Sequence, residues 1–433
     1  MPQQNFGTAQ SQSVLMLQKV NSMIEKSQNL DKVLQKRFST VKGDTIGLAA
    51  YRQEIQVESG GVTYALQLDG GNYAQGTGAQ YVQAIIAPVS IGHTISATKL
   101  AMMISKGGPK DVVVDYVARL IKDVKEKVAH KQNIYLQTYN DGKLATVDST
   151  WGGVSTLIPL AKGEFGGRLI DLGDVLQVDD GAGNMVGEVQ IQEVNKNSIN
   201  GIDTVTIDQV PVGMVATSNF YVKNVATGNP LFVAGLKYLV DYSNTGDYFG
   251  LDRAMPYVQS PALNANGAFF TIGGTLGFLE RMEQALGSER FQSEGGGKFF
   301  YTHGANYVSQ QMQGFGKQVV LLRDGKAAGN YDGLPNIHAP RQAAGMELVT
   351  DSVAAIDKVY WLDQSVLNCV RYPGSQAFIP GMVEGGLWWP RMVNGQWNSQ
   401  YDATYQDSAN FFIRNLWACG VMYGLGTQPL FAS

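Results

Sequence analysis

The sequence predicts a mixed α+β fold in which short strands outnumber helices, and three observations carry that prediction. Glycine is abundant, with 51 glycines against 14 prolines, and 44% of the 433 residues are hydrophobic, a mixture typical of loop-rich β structure. Alternating hydrophobic and polar residues recur between turn signals. A single long helical period lies between Pro109 and Asn140. The length allows two or three domains, each with its own core.

Charge is scarce in this chain, which limits the surface that it can present to water. Charged residues make up 16% of the sequence, with a net charge of −4, against about 25% in an ordinary soluble domain. The most apolar stretches, 81–91 and 411–423, are too short and too interrupted by polar residues to span a bilayer. The amino terminus shows no secretory pattern, so we expect synthesis and use in a cytoplasm. We expect copies of the chain to cover much of its surface.

The first 43 residues form a basic arm. Apolar residues at steps of three and four predict an amphipathic helix over 13–38, and six basic side chains stand against two acidic ones in residues 1–43. The simpler interpretation is a solvated helix face, and the functional one is a position near a polyanion. The candidate residues for the functional interpretation are Lys32, Lys36, Arg37 and Lys42.

Charge almost vanishes between residues 44 and 98, where Arg52 is the only lysine or arginine. Residues 55–57 and 62–68 alternate around a turn signal at 58–61, which predicts a β-hairpin, and a glycine-rich stretch follows at 69–78. A hairpin is marginally stable alone, so we expect this β arm to pack on another copy. The predicted contact residues are Tyr64, Leu66, Leu68, Gly70, Gly71, Tyr73, Gly76 and Gly78.

One long helix is predicted over 109–141. Pro109 suits the first position of a helix, and no breaker follows before the Asn140-Asp141-Gly142 turn. The opposite face carries oppositely charged pairs at i,i+4, and at about 1.5 Å per residue the helix would be ~45 Å long. The predicted buried face consists of Val113, Val117, Leu120, Ile121, Val124, Val128 and Tyr135.

The remaining sequence predicts a small antiparallel β unit over 168–224, followed from Gly235 by a mixed α/β region. That region contains a predicted helix over Ile272–Leu286 and strand-like runs at 297–302, 318–322 and 358–362. The tail returns to β-like, tryptophan-rich sequence. Cys369 and Cys419 belong to no metal or disulfide motif, so we expect two buried thiols, with one bridge between them as the alternative.

No motif in the chain carries recognisable catalytic or metal-binding chemistry. There is no Gly-x-Ser-x-Gly nucleophile elbow, and the glycine-rich segments 181–183 and 295–298 lack the spacing of a phosphate cradle. The four histidines are far apart, and segment 179–184 lacks the closing glutamate of a calcium loop. We therefore expect a non-enzymatic protein without a cofactor or a bound metal.

The order of these parts carries a resemblance to a known family, and three segments support it. Residues 113–147, VVDYVARLIKDVKEKVAHKQNIYLQTYNDGKLATV, combine the long helix with its Asn-Asp-Gly turn. Segment 235–241, GLKYLVD, is followed by YFGLDR at 248–253, and KFFYTH stands at 298–303 after the predicted helix. The chain resembles the Hong Kong 97-type major capsid proteins of tailed phages.

The resemblance implies a domain order. It places an N-terminal arm at 1–45, an E-loop at 46–90, a P-domain at 91–234 with a spine helix at 109–141 and the β unit at 168–224, an A-domain at 235–375, and a β-like return at 376–433.

The resemblance also implies a function and partners. Members of this family self-assemble as hexamers and pentamers into an icosahedral shell around double-stranded DNA, built in the cytoplasm of a bacterial host. A scaffolding protein, a portal and a decoration protein are the implied partners besides the chain itself, and DNA would lie near the basic arm. Cross-linked members use an E-loop lysine, but this chain has none between Gly43 and Ala97. The alternatives are an encapsulin-like nanocompartment shell, a tail or adhesin component, and an uncharacterised enzyme.

Overall fold

The computed structural model describes residues 33–41, 50–58, 78, 80–98, 116–196, 202–223, 232–268, 270, 272–286, 297–306, 322–323, 326–327, 342–343, 346–371, 377–378, 389–393 and 396–426. These residues fall into two compact units. The first unit holds the described residues of 1–35, 88–133 and 371–410, and the second holds those of 36–87, 134–370 and 411–433.

Strands dominate the described residues, as the sequence predicted. The helices are α1 (Tyr116–Tyr135), α2 (Leu236–Leu239) and α3 (Ile272–Leu286), with short 3-10 turns at Gln35–Arg37, Pro256–Val258 and Leu416–Ala418. The strands are β1 (Ser39–Thr40), β2 (Tyr51–Glu58), β3 (Gln80–Ile86), β4 (Val89–Thr98), β5 (Lys143–Thr146), β6 (Leu157–Pro159), β7 (Val175–Asp179), β8 (Met185–Asn195), β9 (Thr204–Ile207), β10 (Asn219–Val222), β11 (Asp247–Tyr248), β12 (Leu251–Asp252), β13 (Ala262–Asn264), β14 (Lys298–His303), β15 (Leu322–Arg323), β16 (Lys326–Ala327), β17 (Gln342–Ala343), β18 (Met346–Asp351), β19 (Val359–Asp363), β20 (Leu367–Arg371), β21 (Ala377–Phe378), β22 (Trp389–Val393), β23 (Gln396–Ile413) and β24 (Gly420–Tyr423). Within this described part, no helix is long and apolar enough to cross a membrane.

The first unit is built on the antiparallel pair of β4 and β23, to which β21 and β22 add further antiparallel pairs. Side chains alternate between the two faces of the pair, as the period of a strand requires. One face carries cross-strand hydroxyl contacts, such as Thr94 to Thr404 with 2.9 Å between their oxygens. The other face carries the buried residues Ile91, Ala97, Ala403 and Tyr405.

The predicted long helix is confirmed over its described part, but it ends earlier than predicted. α1 runs without a break to Tyr135, whereas the sequence predicted a helix over 109–141. The proposed start of that helix, at Pro109, lies outside the described residues. Of the predicted buried face, the described residues with known burial are Val124, Val128 and Tyr135, and all of them are buried.

The backbone at Gly235 and Leu236 accounts for the end of α1. The Leu236 N–H donates to the Leu136 carbonyl at 2.6 Å, and the Thr138 N–H donates to the Tyr135 carbonyl at 3.1 Å in a tight closing turn. A Cβ at Gly235 would overlap the carbonyl oxygens of Tyr135 and Thr138, so only glycine permits this approach. The sequence contains no helix breaker just after Tyr135. The end of the helix could not be predicted from its own residues, because the group that closes it comes from a distant segment.

Six antiparallel strands form one sheet in the second unit, in the order β5-β10-β7-β8-β9-β6. The antiparallel unit predicted over 168–224 is confirmed, and the sheet begins earlier because β5 and β6 join it. The Asp180 carboxylate closes the β7–β8 turn by accepting from the Asn184 backbone N–H at 3.0 Å. Asp179 accepts from the Asn219 side-chain amide at 2.8 Å. These two carboxylates therefore stabilise a turn and a neighbouring strand.

A mixed sheet forms the main core of the second unit, in the order β13-β24-β19-β14-β18-β17. The pairs β13–β24 and β14–β18 are parallel, and the other pairs are antiparallel. α3 has the predicted bounds, and β14 and β19 confirm the strand runs predicted at 297–302 and 358–362. The helix and the sheet share a buried cluster that includes Phe270, Phe278, Met282, Phe300, Leu348, Val359, Trp361 and Met422.

The two cysteines are free and buried. The prediction of two buried thiols is therefore confirmed, and the alternative of a bridge between Cys369 and Cys419 is wrong. Burial raises the pKa of the Cys419 thiol to about 12, which keeps it protonated and unreactive at neutral pH.

Candidate functional site: an anchored ribbon with an exposed face

The β arm predicted from the uncharged segment begins as a two-stranded antiparallel ribbon. β2 pairs with β3 from Tyr51 opposite Ile86 to Gln56 opposite Tyr81, with an irregularity before Glu58. The sequence predicted that the turn at 58–61 would pair this strand with residues 62–68. Those residues lie outside the described part of the chain, and the partner that the structure describes is β3.

The base of the ribbon is anchored by a small apolar cluster. Ile86 is fully buried together with Val370 and Phe412, and Tyr51 and Phe249 pack against this cluster. The rings of Tyr51 and Phe412 lie 5.5 Å apart between centroids. One face of the ribbon is therefore attached to the subunit at its root.

Phe249 holds the edge of the ribbon from the turn between β11 and β12. Its φ of +49° is a left-handed conformation that is uncommon for a bulky residue. Its N–H donates to the Tyr238 hydroxyl at 2.7 Å, and its carbonyl accepts from the Ile85 N–H at 3.1 Å. Its ring packs edge-on against Tyr238 and Tyr248, with centroids 5.4 and 4.9 Å away. These contacts stabilise the strained turn that presents its carbonyl to β3.

Arg253 is buried beneath the same turn. Its guanidinium carbon lies 5.1 Å from the centre of the Tyr238 ring and 5.0 Å from that of the Tyr248 ring. Its nitrogens donate to the backbone carbonyls of Tyr238 and Asp247. The segment 248–253 therefore has an architectural role, because a buried cation close to the stacked Tyr238 and Tyr248 rings fixes the turn that holds the ribbon. The sequence marks this segment as a motif but does not reveal its contact with β3.

The outer face of the ribbon leaves two large apolar side chains uncovered. Tyr81 is 58% exposed and Ile85 is 55% exposed, and their cross-strand partners are Gln56 and Arg52. A two-stranded ribbon is marginally stable in water, and burial of one large apolar side chain contributes about 1.5–3 kcal/mol. These two side chains would gain from being covered, so the outer face is a candidate contact surface.

The structure describes only part of the residues predicted for this contact. Gly78 is exposed, and a Cβ placed on it would meet no atom within 4 Å. The other predicted residues of the β arm and part of the basic arm lie outside the described residues: Tyr64, Leu66, Leu68, Gly70, Gly71, Tyr73, Gly76, Lys32 and Lys42. Their roles remain predictions.

The structure describes two of the candidate residues of the predicted basic arm, and they differ in whether their charge is paired within the chain. Lys36 is exposed. Arg37 forms an ion pair with Glu347 at 2.5 Å, and its guanidinium carbon lies 5.0 Å from the centre of the Phe299 ring. The Arg37 charge is therefore already engaged within the chain, whereas the Lys36 side chain is exposed, and its position near a polyanion stays a prediction.

The segment around these residues is held by the rest of the chain. In the second unit, β1 pairs in parallel with β20, and the Phe38 ring packs edge-on against Phe411 at 4.9 Å. In the first unit, the Asn133 side-chain oxygen accepts from the backbone N–H groups of Leu34 and Gln35 at 3.0 and 3.2 Å. Sequence analysis expected an apolar stripe on α1 and missed this polar contact.

The described residues offer no recognisable catalytic arrangement. No three His, Cys, Asp or Glu side chains among them are grouped to hold a metal. A cavity of about 280 Å³ lies along β5. Its lining includes two positive and two negative side chains, Lys143, Lys237, Asp141 and Glu164, and contains no serine, cysteine or histidine. Burial, assisted by the positive charge of Arg168, lowers the pKa of His303 to about 4, so its ring is neutral at pH 7.

Comparison with known proteins identifies the fold. No protein-family model and no curated protein sequence matches the chain. Among solved structures, the cyanophage A-1(L) capsid asymmetric unit is similar at 14% identity and a TM-score of 0.56, over 95% of this chain and 98% of that one. The capsid of a native GTA particle gives 8% identity and a TM-score of 0.48, over 98% and 100% of the two chains. The holo-SrpI encapsulin complex from Synechococcus elongatus PCC 7942 is similar at 9% identity and a TM-score of 0.44, over 96% of this chain and 95% of that one. The predicted resemblance to phage capsid proteins is therefore confirmed at the level of the fold, on the first of these matches.

Proposed function

We propose that this chain is the major capsid protein of a tailed bacteriophage, and that its copies form hexamers and pentamers of an icosahedral shell around double-stranded DNA. The observation that carries the proposal is the fold shared with a cyanophage capsid subunit over nearly the whole of both chains. A shared fold alone permits several functions, so the surface of the chain supplies the second argument.

The surface is suited to contact with other copies. Only 16% of the residues are charged, and the outer face of the ribbon exposes Tyr81 and Ile85. In a closed shell each copy would cover such a face on its neighbour. The small free energy gained by burial at each contact would be repeated at every copy. Among the described residues, the ribbon is anchored through Ile86 and Tyr51 at its base, and Tyr81 and Ile85 on its outer face are exposed.

The domain layout belongs to the same proposal. Residues 1–45 are the arm, 46–90 the E-loop, 91–234 the P-domain with the spine helix, 235–375 the A-domain, and 376–433 the β-like return. The glycine-rich stretch 70–78 would be the tip of the E-loop and would pack on a neighbouring subunit. Deletion of 70–78 should leave the far-ultraviolet circular dichroism of the subunit nearly unchanged while closed shells fail to form. A deletion that unfolds the subunit would place this stretch in the core of its own subunit.

The partners follow from the role of a shell subunit. The chain would assemble in the host cytoplasm with a separate scaffolding protein and a portal, be found in the virion, and accept a decoration protein on its surface. Lys36 would lie near packaged DNA. No enzymatic step is part of this role.

Expression of the chain and electron microscopy of the product test the proposal. Closed icosahedral shells are expected, and particles from infected cells should contain double-stranded DNA. Particles filled with a protein cargo would favour the nanocompartment alternative, and a soluble monomer that never assembles with its scaffolding partner would overturn both.

The shells are expected to lack covalent cross-links, because no lysine lies between Gly43 and Ala97. Particles boiled in detergent should release a single band of 46.9 kDa. A ladder of multimers that survives boiling would show that another residue forms the bond.

A further inference from the structure

The loop between β6 and β7 places one carboxylate against two lysines. Glu164 Oε1 lies 2.6 Å from Lys358 Nζ and 3.3 Å from Lys237 Nζ. The Lys358 side chain, just before β19, is 2% exposed, and the Lys237 side chain, on α2, is 40% exposed. One carboxylate therefore forms ion pairs with two lysines that come from elements far apart in the sequence, and Asp357 adds a second negative charge near both lysines.

The backbone of the loop that carries Glu164 is also held by hydrogen bonds close to this cluster. Arg168 Nε donates to the Phe165 carbonyl at 2.9 Å, and its Nη2 donates to the Glu164 carbonyl at 2.5 Å. The Ile356 N–H also points to the Glu164 carbonyl, at 3.4 Å. The loop 161–168, which leads into the six-stranded antiparallel sheet, thus rests on the segment that leads into β19 of the mixed sheet.

Burial of this charged cluster is only partly compensated. Glu164 Oε2, Asp203 Oδ1, Asp357 Oδ1 and Arg168 Nη1 are buried and have no hydrogen-bond partner among the described residues. The contact of 2.6 Å between Lys358 Nζ and Glu164 Oε1 is a close ion pair. A buried charge that loses its partner is strongly unfavourable, so the docking of the loop depends on the charge of Glu164.

We propose that Glu164 closes an acid-sensitive latch between the six-stranded antiparallel sheet and the mixed sheet. While its carboxylate is charged, it holds Lys237 and Lys358 and keeps the loop 161–168 docked. When it takes up a proton, the two ammonium groups lose the carboxylate with which both form ion pairs. The loop is then released while both sheets remain folded.

The charges around Glu164 set the direction of the pH dependence. Burial opposes its charge, but the ion pairs with Lys358 and Lys237 outweigh burial and hold the pKa of Glu164 below its ordinary 4.5. Because the folded-state pKa is the lower one, the latch stabilises fully above about pH 4.5. That stabilisation is lost as the pH falls through the folded-state pKa.

The remaining groups near the latch modify this dependence without reversing it. Burial raises the pKa of Asp357, so protonation of Asp357 relieves a buried charge and favours the docked loop. The groups that face Glu164 from the packed elements and the adjoining cavity are Lys237, Lys358, Asp357, Tyr360, Arg168, Asp141 and Lys143.

Hydrogen exchange of the full chain, normalised to the intrinsic rate at each pH, tests the latch. In the wild type, peptides covering 161–168 and 354–358 should lose protection as the pH falls below about 4.5, while β8 and β14 stay protected. Glu164→Gln should exchange in the loop roughly a hundredfold faster at pH 7, with no further change on acidification. Glu188→Gln is the matched control, because Glu188 pairs with Lys223 at 2.7 Å on the surface of the same sheet. It should behave like the wild type.

A second variant keeps the test decisive if Glu164→Gln does not fold. Lys237→Gln leaves the pair of Glu164 with Lys358 but removes one charge that lowers the pKa of Glu164. The pH at which loop protection is lost should therefore move upward, toward neutrality, which a merely structural contact would not produce. Wild-type loop protection that is unchanged down to pH 3, or an unmoved midpoint in Lys237→Gln, would overturn the proposal.

Discussion

The mixed sheet and the ribbon of β2 and β3 are both rich in apolar residues, but they differ in what covers those residues. In the mixed sheet, Phe300 stands opposite Trp361, and both are buried in the cluster shared with α3. In the ribbon, Ile86 is buried while its neighbour Ile85 is 55% exposed. A helix covers the sheet, whereas the outer face of the ribbon has no cover within the described residues. The sheet is thus covered within its own chain, whereas under the proposed function a neighbouring copy covers the outer face of the ribbon.

The largest effect is expected in the mixed sheet. Trp361→Ala should lower the free energy of unfolding of the isolated subunit by about 3–5 kcal/mol, because it opens a cavity among fully buried side chains. Trp417→Ala is the matched control, since Trp417 is 37% exposed and its indole N–H donates to the Pro256 carbonyl, so the destabilisation should be smaller, about 1 kcal/mol. Urea denaturation of both variants measures the difference. Equal losses would show that the mixed sheet is not the dominant core.

Two consecutive residues of β3 provide the sharpest test of the two faces of the ribbon. Ile86→Ala should destabilise the subunit by about 2 kcal/mol or more, because Ile86 fills the cluster at the base. Ile85→Ala should change the free energy of unfolding by about 0.5 kcal/mol or less, because its side chain faces solvent in the subunit. Thermal or urea unfolding of the unassembled chain would distinguish them. The reverse order would mean that the ribbon packs through its other face.

Acid should weaken the mixed sheet through His303, which lies at the end of β14. Burial, with a smaller effect of Arg168, lowers its pKa from 6.5 to about 4, so the unfolded chain binds the proton more tightly. The stability is therefore full above pH 6.5 and falls as the pH drops toward 4, by roughly 1–3 kcal/mol. His303→Asn keeps an acceptor for the Ala305 N–H, which donates to the ring at 3.1 Å, and should reduce this pH dependence. Urea midpoints of the wild type and the variant at pH 7, 5 and 4 measure the difference. If the two proteins lose the same stability between pH 7 and pH 4, His303 is not the group involved.

A double change on the outer face of the ribbon should have the smallest effect on the free energy of unfolding and the largest effect on assembly. The double change Tyr81→Ser and Ile85→Ser should alter subunit stability by only about 0.5 kcal/mol, because both side chains are exposed. It should nevertheless reduce the yield of closed shells, counted by electron microscopy, since it removes the two large apolar side chains from the outer face of the ribbon. Val212→Ser, at a valine that is also exposed but lies outside the ribbon, is the control. Normal shells from the double variant would exclude this face from the contact.

The parts that the sequence predicted well are those set by local pattern. The helix Ile272–Leu286, the strands at β14 and β19, and the two buried thiols followed from hydrophobic period and residue type. The end of α1 did not, because a tight approach by Gly235 closes the helix from a distant part of the chain. The role of Phe249 was also missed, since the sequence does not record that its carbonyl meets Ile85.

The sequence by itself determined the types of elements, the low charge and the presence of a β arm in the segment with little charge, because each is a property of neighbouring residues. Only the tertiary structure decided that β2 pairs with β3, that Arg37 is engaged by Glu347, and that Glu164 compensates two lysines. These pairings join residues separated by tens to hundreds of positions. Their energies arise from contact and burial in the folded chain, and neither period nor composition encodes which distant groups will meet.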